Sequence, residues 1–278
     1  MSSKQPFHVL VPLKKQPLRQ RPALFLKPQN VYSFLWFVPS FWPLPCFEIS
    51  LKKAPLMPEM IYQIDTPQTT PHAHLAKRVQ KHLKHPYQKP FSPRQLASFE
   101  EVNHWITKMN RPIILDSGCG TGQSTFNLAQ QFKLHAIVGI DKSSHRLKKN
   151  STPLQPKPNN CFLVQANLED IWRLILKANW NITHHFMFYP NPWPKPEHLQ
   201  RRWHGHPVFP DLIRLSPYLE VRTNWKLYLD EFAQAVQIAT GIWSEPYMYK
   251  SETPISLFEK KYWENNCETY AYKLLMSS

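Results

Sequence analysis

The sequence predicts an α/β fold: a mostly parallel, seven-stranded sheet with helices on both faces. Three observations carry that prediction. Short apolar runs alternate with helical patterns from Ile113 onward. A glycine-rich turn joins the first of these runs to a helix. Asp116, Asp141, Asn191 and Asn224 each stand at or just past the end of an apolar run. In such sheets the buried strands read as apolar runs, and ligands gather at their carboxyl ends.

Residues 1–60 differ from the rest. They hold ten of the 28 prolines and no glycine, and eight basic residues against two acidic ones. Pro39, Pro43 and Pro45 interrupt the aromatic stretch from Val31 to Ile49, which argues against a membrane span. No apolar run followed by a small-residue cleavage site suggests a signal peptide. The expectation is a poorly ordered basic extension, with Met57 or Met60 as alternative starts. A basic helical segment is expected over residues 61–110 and the α/β domain over 111–278. Ala76–His85 is strongly basic, and its two readings are a solvated helix face and an RNA contact. Ser92 and Pro93 read as an N-cap and first helical residue, opening a helix to Lys108 with Leu96, Phe99, Val102 and Ile106 inward.

The strands then follow in order. Ile113 to Asp116 is the first, and Ala136 to Ile140, ending at Asp141, the second. Cys161–Gln165, His185–Tyr189 and Tyr218–Arg222 are the next three. Between them, helical patterns cover Gln123–Gln130, Glu169–Lys177 and Asn224–Ala239. A last strand over Thr269–Leu275 can pair with one near Pro246–Lys250.

Net charge is +15 and the isoelectric point near 9.7, which favours a polyanionic partner. The four cysteines are dispersed with no C-x-x-C pair, as for free thiols in a reducing cytoplasm. His184-His185 and His204-x-His206 lack ligand partners at metal spacing, so no metal is expected.

The chemistry begins at Asp116-Ser-Gly-Cys-Gly-Thr-Gly122. Three of the chain's six glycines, Gly118, Gly120 and Gly122, fall in this one turn. Glycine there permits positive φ and close approach of a ligand. A dinucleotide fingerprint would need glycine where Gln123 stands, and a P-loop would need Gly-Lys-Ser/Thr. The stretch instead resembles the first motif of S-adenosylmethionine-dependent methyltransferases. That resemblance implies a Rossmann-like fold. It assigns the amino-acid end of the cofactor to Asp116 and the glycines. Asp141, at the end of the second strand, can accept from both ribose hydroxyls.

Tyr189-Pro-Asn-Pro-Trp-Pro-Lys-Pro-Glu-His-Leu-Gln-Arg-Arg-Trp203 is the second informative stretch. Alternating prolines stiffen it, so it can hold Asn191, Trp193 and Lys195 over the cofactor's reactive end. Lys195, His198, Arg201 and Arg202 place positive charge beside the cleft, as a phosphate-bearing substrate needs. This stretch resembles the bacterial tRNA (guanine-N7)-methyltransferases, whose pattern is Pro-Asp-Pro-Trp-x-Lys, a spacer with histidine, then Lys/Arg-Arg. Thr223-Asn224-Trp225 and Ser256-Leu-Phe-Glu259 follow in the family's order, and the likeness covers about residues 72 to 276.

The resemblance implies that Asp116, Gly118, Gly120, Gly122, Asp141, Asn167 and Asn191 bind S-adenosylmethionine. It places Asn191 at the active-site position and Lys195, Arg201 and Arg202 on tRNA. Asn224, Ser256, Leu257, Phe258 and Glu259 would line a guanine pocket. Two family aspartates are Asn191 and Asn224 here. An amide has one acceptor where a carboxylate has two, and it cannot offset a sulfonium charge. Three readings therefore stand: a cytoplasmic tRNA guanine-N7 methyltransferase, a catalytically weak paralogue that binds tRNA or the cofactor, and a methyltransferase with another substrate. A monomer without membrane contact is expected.

Overall fold

The computed structural model describes residues 64–149 and 157–276. The extension expected over residues 1–60 lies outside them. Five strands run parallel, in the order β3, β2, β1, β4, β5: β1 is Ile113–Ser117, β2 Ala136–Asp141, β3 Cys161–Gln165, β4 Ile182–Phe188 and β5 Tyr218–Thr223. Two antiparallel strands extend the β5 edge, β7 (Tyr270–Leu275) on β5 and β6 (Tyr247–Met248) on β7. The order reverses between β1 and β4, which opens a crevice at their carboxyl ends.

Helices cover both faces. One face carries α1 (Leu75–Lys84), α2 (Pro93–Met109), α5 (Leu168–Lys177), α6 (Phe209–Ile213) and α7 (Lys226–Thr240). Their Val79, Val102, Trp172, Leu212 and Phe232 share one core with Leu115 and Val221 of the sheet. The other face packs Leu128 of α3 (Gln123–Gln131) on Ile114, Ile137 and Phe186. Adjacent strand residues point to opposite faces, so Ile114 and Leu115 serve different cores. Two short helices complete the order: α4 (Ser144–Lys148) after β2 and α8 (Leu257–Glu264) before β7.

Three local departures from the sequence expectation bear on the site. Strand β4 begins at Ile182 and stops before Tyr189, whose φ of 53° lies in the left-handed region. That conformation is costly for a bulky residue and turns the chain out over the crevice. Helix α7 starts at Lys226 rather than Asn224. The Thr223 hydroxyl accepts from the Trp225 N–H at 3.2 Å, which keeps Asn224 and Trp225 outside the helix. On α2, Leu96 is 39% exposed while Gln95 is buried. The Gln95 side-chain oxygen accepts from the Asn167 N–H at 2.8 Å, tying α2 to the start of α5. Ser92 caps α2 as expected, accepting from the Gln95 N–H at 3.3 Å. Among the described residues no helix is long and apolar enough to cross a membrane.

Candidate cofactor cleft and catalytic loop

A cleft of about 590 Å³ opens at the carboxyl ends of β1, β2 and β4. Gly118, Gly120, Asp141, Asn167, Asn191 and Asn224, all expected in a site, line it together. Gly118 and Gly120 have φ of +80° and +61°, and a Cβ built on either meets nothing within 4 Å. The loop therefore leaves an open cradle that a side chain would fill. Gly122 works differently. Its φ is +87°, and a Cβ there would lie 2.7 Å from Leu163 Cδ1. It serves packing between α3 and β3 and does not line the cleft. Gly139 is a further close-approach glycine: its Cβ would lie 2.3 Å from the Thr125 hydroxyl oxygen.

Asp116 lies behind the cradle. It is buried and absent from the cleft wall. Its Oδ2 accepts from the Ser124 and Thr125 hydroxyls at 2.6 and 2.7 Å, pinning α3 to β1. Burial raises its pKa to about 6, against the lowering pull of those hydroxyls. Its Oδ1 has no partner among the described residues. A buried acceptor left open behind the cradle suits a cationic ligand group, such as the cofactor's ammonium.

Asp141 holds the cradle from the other side. Its Oδ2 accepts from the Gly120 N–H at 2.9 Å, and its Oδ1 from the Ser143 N–H and Arg146 Nη2, both at 2.8 Å. Of roughly four acceptor positions on a carboxylate, three are taken. One ribose hydroxyl fits at once, and the second requires the 44%-exposed Arg146 to let go. These donor and acceptor sets fit an adenosyl cofactor with an amino-acid tail.

Ser117, to which the sequence assigns no role, also lines the cleft. Ser117 Oγ accepts from Trp172 Nε1 at 3.0 Å and sits 2.8 Å from His185 Nε2. Burial holds His185 down to about 3, so its ring is neutral. Its Nδ1 is buried without a partner. A bare acceptor is tolerated better than an orphaned N–H, so the proton belongs on Nε2. Ser117 then accepts twice and has its own hydroxyl proton left to donate.

The Pro-Asn-Pro-Trp loop forms the roof. Trp193, with φ of 48°, stacks under the Arg201 guanidinium at 4.8 Å, and both line the cleft. Arg202 does not. It is fully buried, donating from Nε to the Trp193 carbonyl at 3.1 Å and from Nη2 to the Lys195 carbonyl at 3.2 Å. Its Nη1 meets Glu231 Oε2 at 2.5 Å, and the same oxygen accepts from His204 Nε2 at 2.8 Å. Burial alone would raise the Glu231 pKa, but the His204 hydrogen bond and the Arg202 charge hold it down to about 2. Arg202 thus braces the loop from within. Lys195 is exposed outside the cleft.

The Ser256–Glu259 stretch divides between structural contacts and the cleft. Ser256 caps α8, accepting from the Glu259 N–H at 3.2 Å. Glu259 is fully buried; its Oε1 takes the Tyr189 hydroxyl at 3.0 Å and Arg222 Nη1 at 3.1 Å, and its Oε2 the Ile255 N–H at 2.7 Å. It fixes the strained Tyr189 in place. Ser256 and Leu257 also lie off the cleft, leaving Phe258, joined one turn later by Tyr262, as the wall. The histidine pairs likewise have structural partners, with His204 on Glu231 and His206 Nδ1 accepting from the Val208 N–H at 3.1 Å.

Strand order, switch-point cleft and open glycine cradle together give the fold of the S-adenosylmethionine-dependent methyltransferases. The family model described as "Putative methyltransferase" matches residues 110–270, and the chain belongs to that family. It is 34% identical over 163 residues to a tRNA (guanine-N(7)-)-methyltransferase of Chromohalobacter salexigens, covering 54% of this chain and 65% of the relative. A protein of the same description from Mycobacterium avium is 31% identical over 105 residues, covering 37% and 39%. The chain thus spans less than two thirds of the length of these relatives. A solved structure described as "Structure of an Antibiotic Related Methyltransferase" has a TM-score of 0.46 at 14% identity, covering 68% of this chain and 97% of that one.

The two kinds of glycine give a contrast. Gly120→Val is expected to weaken S-adenosylhomocysteine binding more than tenfold, at a stability cost of about 1–2 kcal/mol for the left-handed backbone. Gly122→Val should lose more stability than Gly120→Val, because it must also displace Leu163. Calorimetric titration and melting curves of both variants check this. Near-native affinity in Gly120→Val would remove the cradle from the site.

Proposed function

We propose that the protein is a tRNA methyltransferase that transfers a methyl group from S-adenosylmethionine to guanine N7. The observation that carries this reading is the braced loop holding Asn191 and Trp193 over the same cleft as Gly120 and Asp141. The names of the relatives support the substrate.

The cofactor supplies a methyl carbon on a sulfonium, open to in-line displacement by the N7 lone pair. Guanine N7 carries no proton, so the site needs no general base. That agrees with a cleft lined by Asn191 and Asn224. Trp193 and Arg201 give a stacking surface at the rim for a nucleotide taken out of its helix. Gly118 and Gly120 let the backbone approach the cofactor, and Asp141 orients its ribose. Lys195 and Arg201 supply charge for the phosphates. The two amides also favour a second reading, a methyltransferase turned toward another nucleotide.

The test is mass spectrometry of tRNA nucleosides from cells with and without the gene, with methyl transfer to bulk tRNA by the purified protein. Loss of 7-methylguanosine supports the first reading. Loss of a different methylated nucleoside supports the second.

A further inference from the structure

We propose that the groove between α1 and the turn Pro196–Arg201 is a second RNA site, holding backbone phosphates of the strand whose target nucleotide enters the cleft. This rests on the RNA reading above and deepens it.

The groove is separate from the cofactor cleft and measures about 480 Å³. His74, Lys77, Arg78 and Lys81 form one wall, and Glu197 and Gln200 part of the other. The basic side chains repeat at three- and four-residue spacing, so they share one face of α1. The opposite face is fixed by buried Leu75 and Val79 and by His82, whose Nε2 lies 3.2 Å from the Gly205 carbonyl. The helix therefore presents its cations rigidly.

Those cations are uncompensated. Among the described residues, Lys77, Arg78 and Lys81 enter no ion pair, whereas Arg146, Arg173, Arg202 and Arg222 all do. Glu197 is the lone carboxylate among the lining residues. A rigid concave surface of unpaired cations raises the local concentration of a polyanion.

The far wall identifies the partner. It is the turn that also carries Arg201, so cleft and groove lie on two sides of six residues. That turn is anchored at both ends. The Thr66 hydroxyl donates to the Pro194 carbonyl at 2.7 Å, and Arg202 holds the Trp193 and Lys195 carbonyls. A nucleic-acid strand crossing it would put one base against Trp193 and Arg201 and its neighbouring phosphates over α1. An anionic membrane surface is flat and would not follow a groove that continues toward a base-stacking rim.

The test uses the full-length protein, bulk tRNA as probe and S-adenosylhomocysteine titration as the control for folding. Lys77→Ala/Arg78→Ala/Lys81→Ala should lose at least tenfold in tRNA affinity at low salt. Its slope of log affinity against log salt should fall by about 2–3, near 0.9 for each phosphate no longer neutralised. S-adenosylhomocysteine binding should stay within twofold of wild type. The milder Lys77→Gln/Lys81→Gln should lower the slope by about 2, and it serves if the triple variant fails that control. Wild-type tRNA affinity and slope in variants that pass the control would overturn the groove assignment and leave the RNA reading standing. A wild type that binds no tRNA would overturn both. Loss of binding to phosphatidylserine vesicles, with tRNA binding unchanged, would give the groove to a membrane and overturn the proposal.

Discussion

Mild acid is expected to destabilise this domain through buried histidines while many of its carboxylates are still ionised. Burial holds His185 down to about 3, and burial with the nearby His82 and Lys89 charges holds His206 down to about 4. In the unfolded chain both take up a proton near pH 6.5. The unfolded state therefore binds more protons as the pH falls, and stability drops by about 1.4 kcal/mol per pH unit for each group. By pH 4.5 the two together cost about 5 kcal/mol, against a usual domain stability of roughly 5–15 kcal/mol. Asp116 acts in the opposite sense. Its pKa is raised to about 6, so it takes up a proton on folding below that pH and returns about 2 kcal/mol by pH 4.5. Glu231, held down to about 2, adds a further loss only below pH 4.5. The net loss is then about 3 kcal/mol at pH 4.5, and tryptophan fluorescence and circular dichroism should show an acid transition with its midpoint near or below pH 4. His185→Gln keeps a donor toward Ser117 and cannot be protonated, so its midpoint should move to lower pH. A domain still folded at pH 3, or a midpoint untouched by that variant, would contradict this account.

What can be read in the sequence, and what cannot, divides along one physical line. The strands and the cradle are legible because they rest on local signals, namely apolar runs, turn glycines and acids at strand ends. Gly118, Gly120 and Asp141 fall where those signals put them. What the sequence does not reveal concerns residues whose contacts depend on distant partners. Arg202 reads as one more basic residue in a basic run, yet its charge is met by Glu231 on α7 and Gln68 before α1. Glu259 reads as part of a substrate motif, yet it meets Tyr189 and Arg222 from two other strands' ends. Asp116 and Gly122 belong to the right loop and face its packed side. Period-two alternation could have separated Asp116 from Ser117, since neighbours on a strand cannot share a face. Nothing local in the sequence announces that His185 lies under Ser117.

The same distinction sets the last prediction, because Asn191 and Asn224 are the site residues where chemistry departs from the resembled family. Asn191 is exposed at the roof, with its Oδ1 3.4 Å from the Trp193 N–H. Asn224 is held out of α7 and lines the same cleft. Asn191→Asp and Asn224→Asp leave the heavy-atom count unchanged, so packing should tolerate both. Each carboxylate would be an acceptor-only group facing the sulfonium or the donor edge of guanine. A charge-assisted hydrogen bond made in the transition state is worth roughly 1.5–3 kcal/mol, about tenfold to a hundredfold in rate. The double variant is therefore expected to transfer methyl groups to guanine N7 in tRNA faster than wild type, with each single variant between them. If the site instead serves another nucleotide, two charges in a pocket built for neutral amides should weaken substrate binding through desolvation. Tritiated methyl transfer from S-adenosylmethionine to bulk tRNA, run on all four proteins, separates these outcomes. A wild type as fast as the double variant would mean that in-line placement of N7 suffices and that the asparagines cost the reaction nothing.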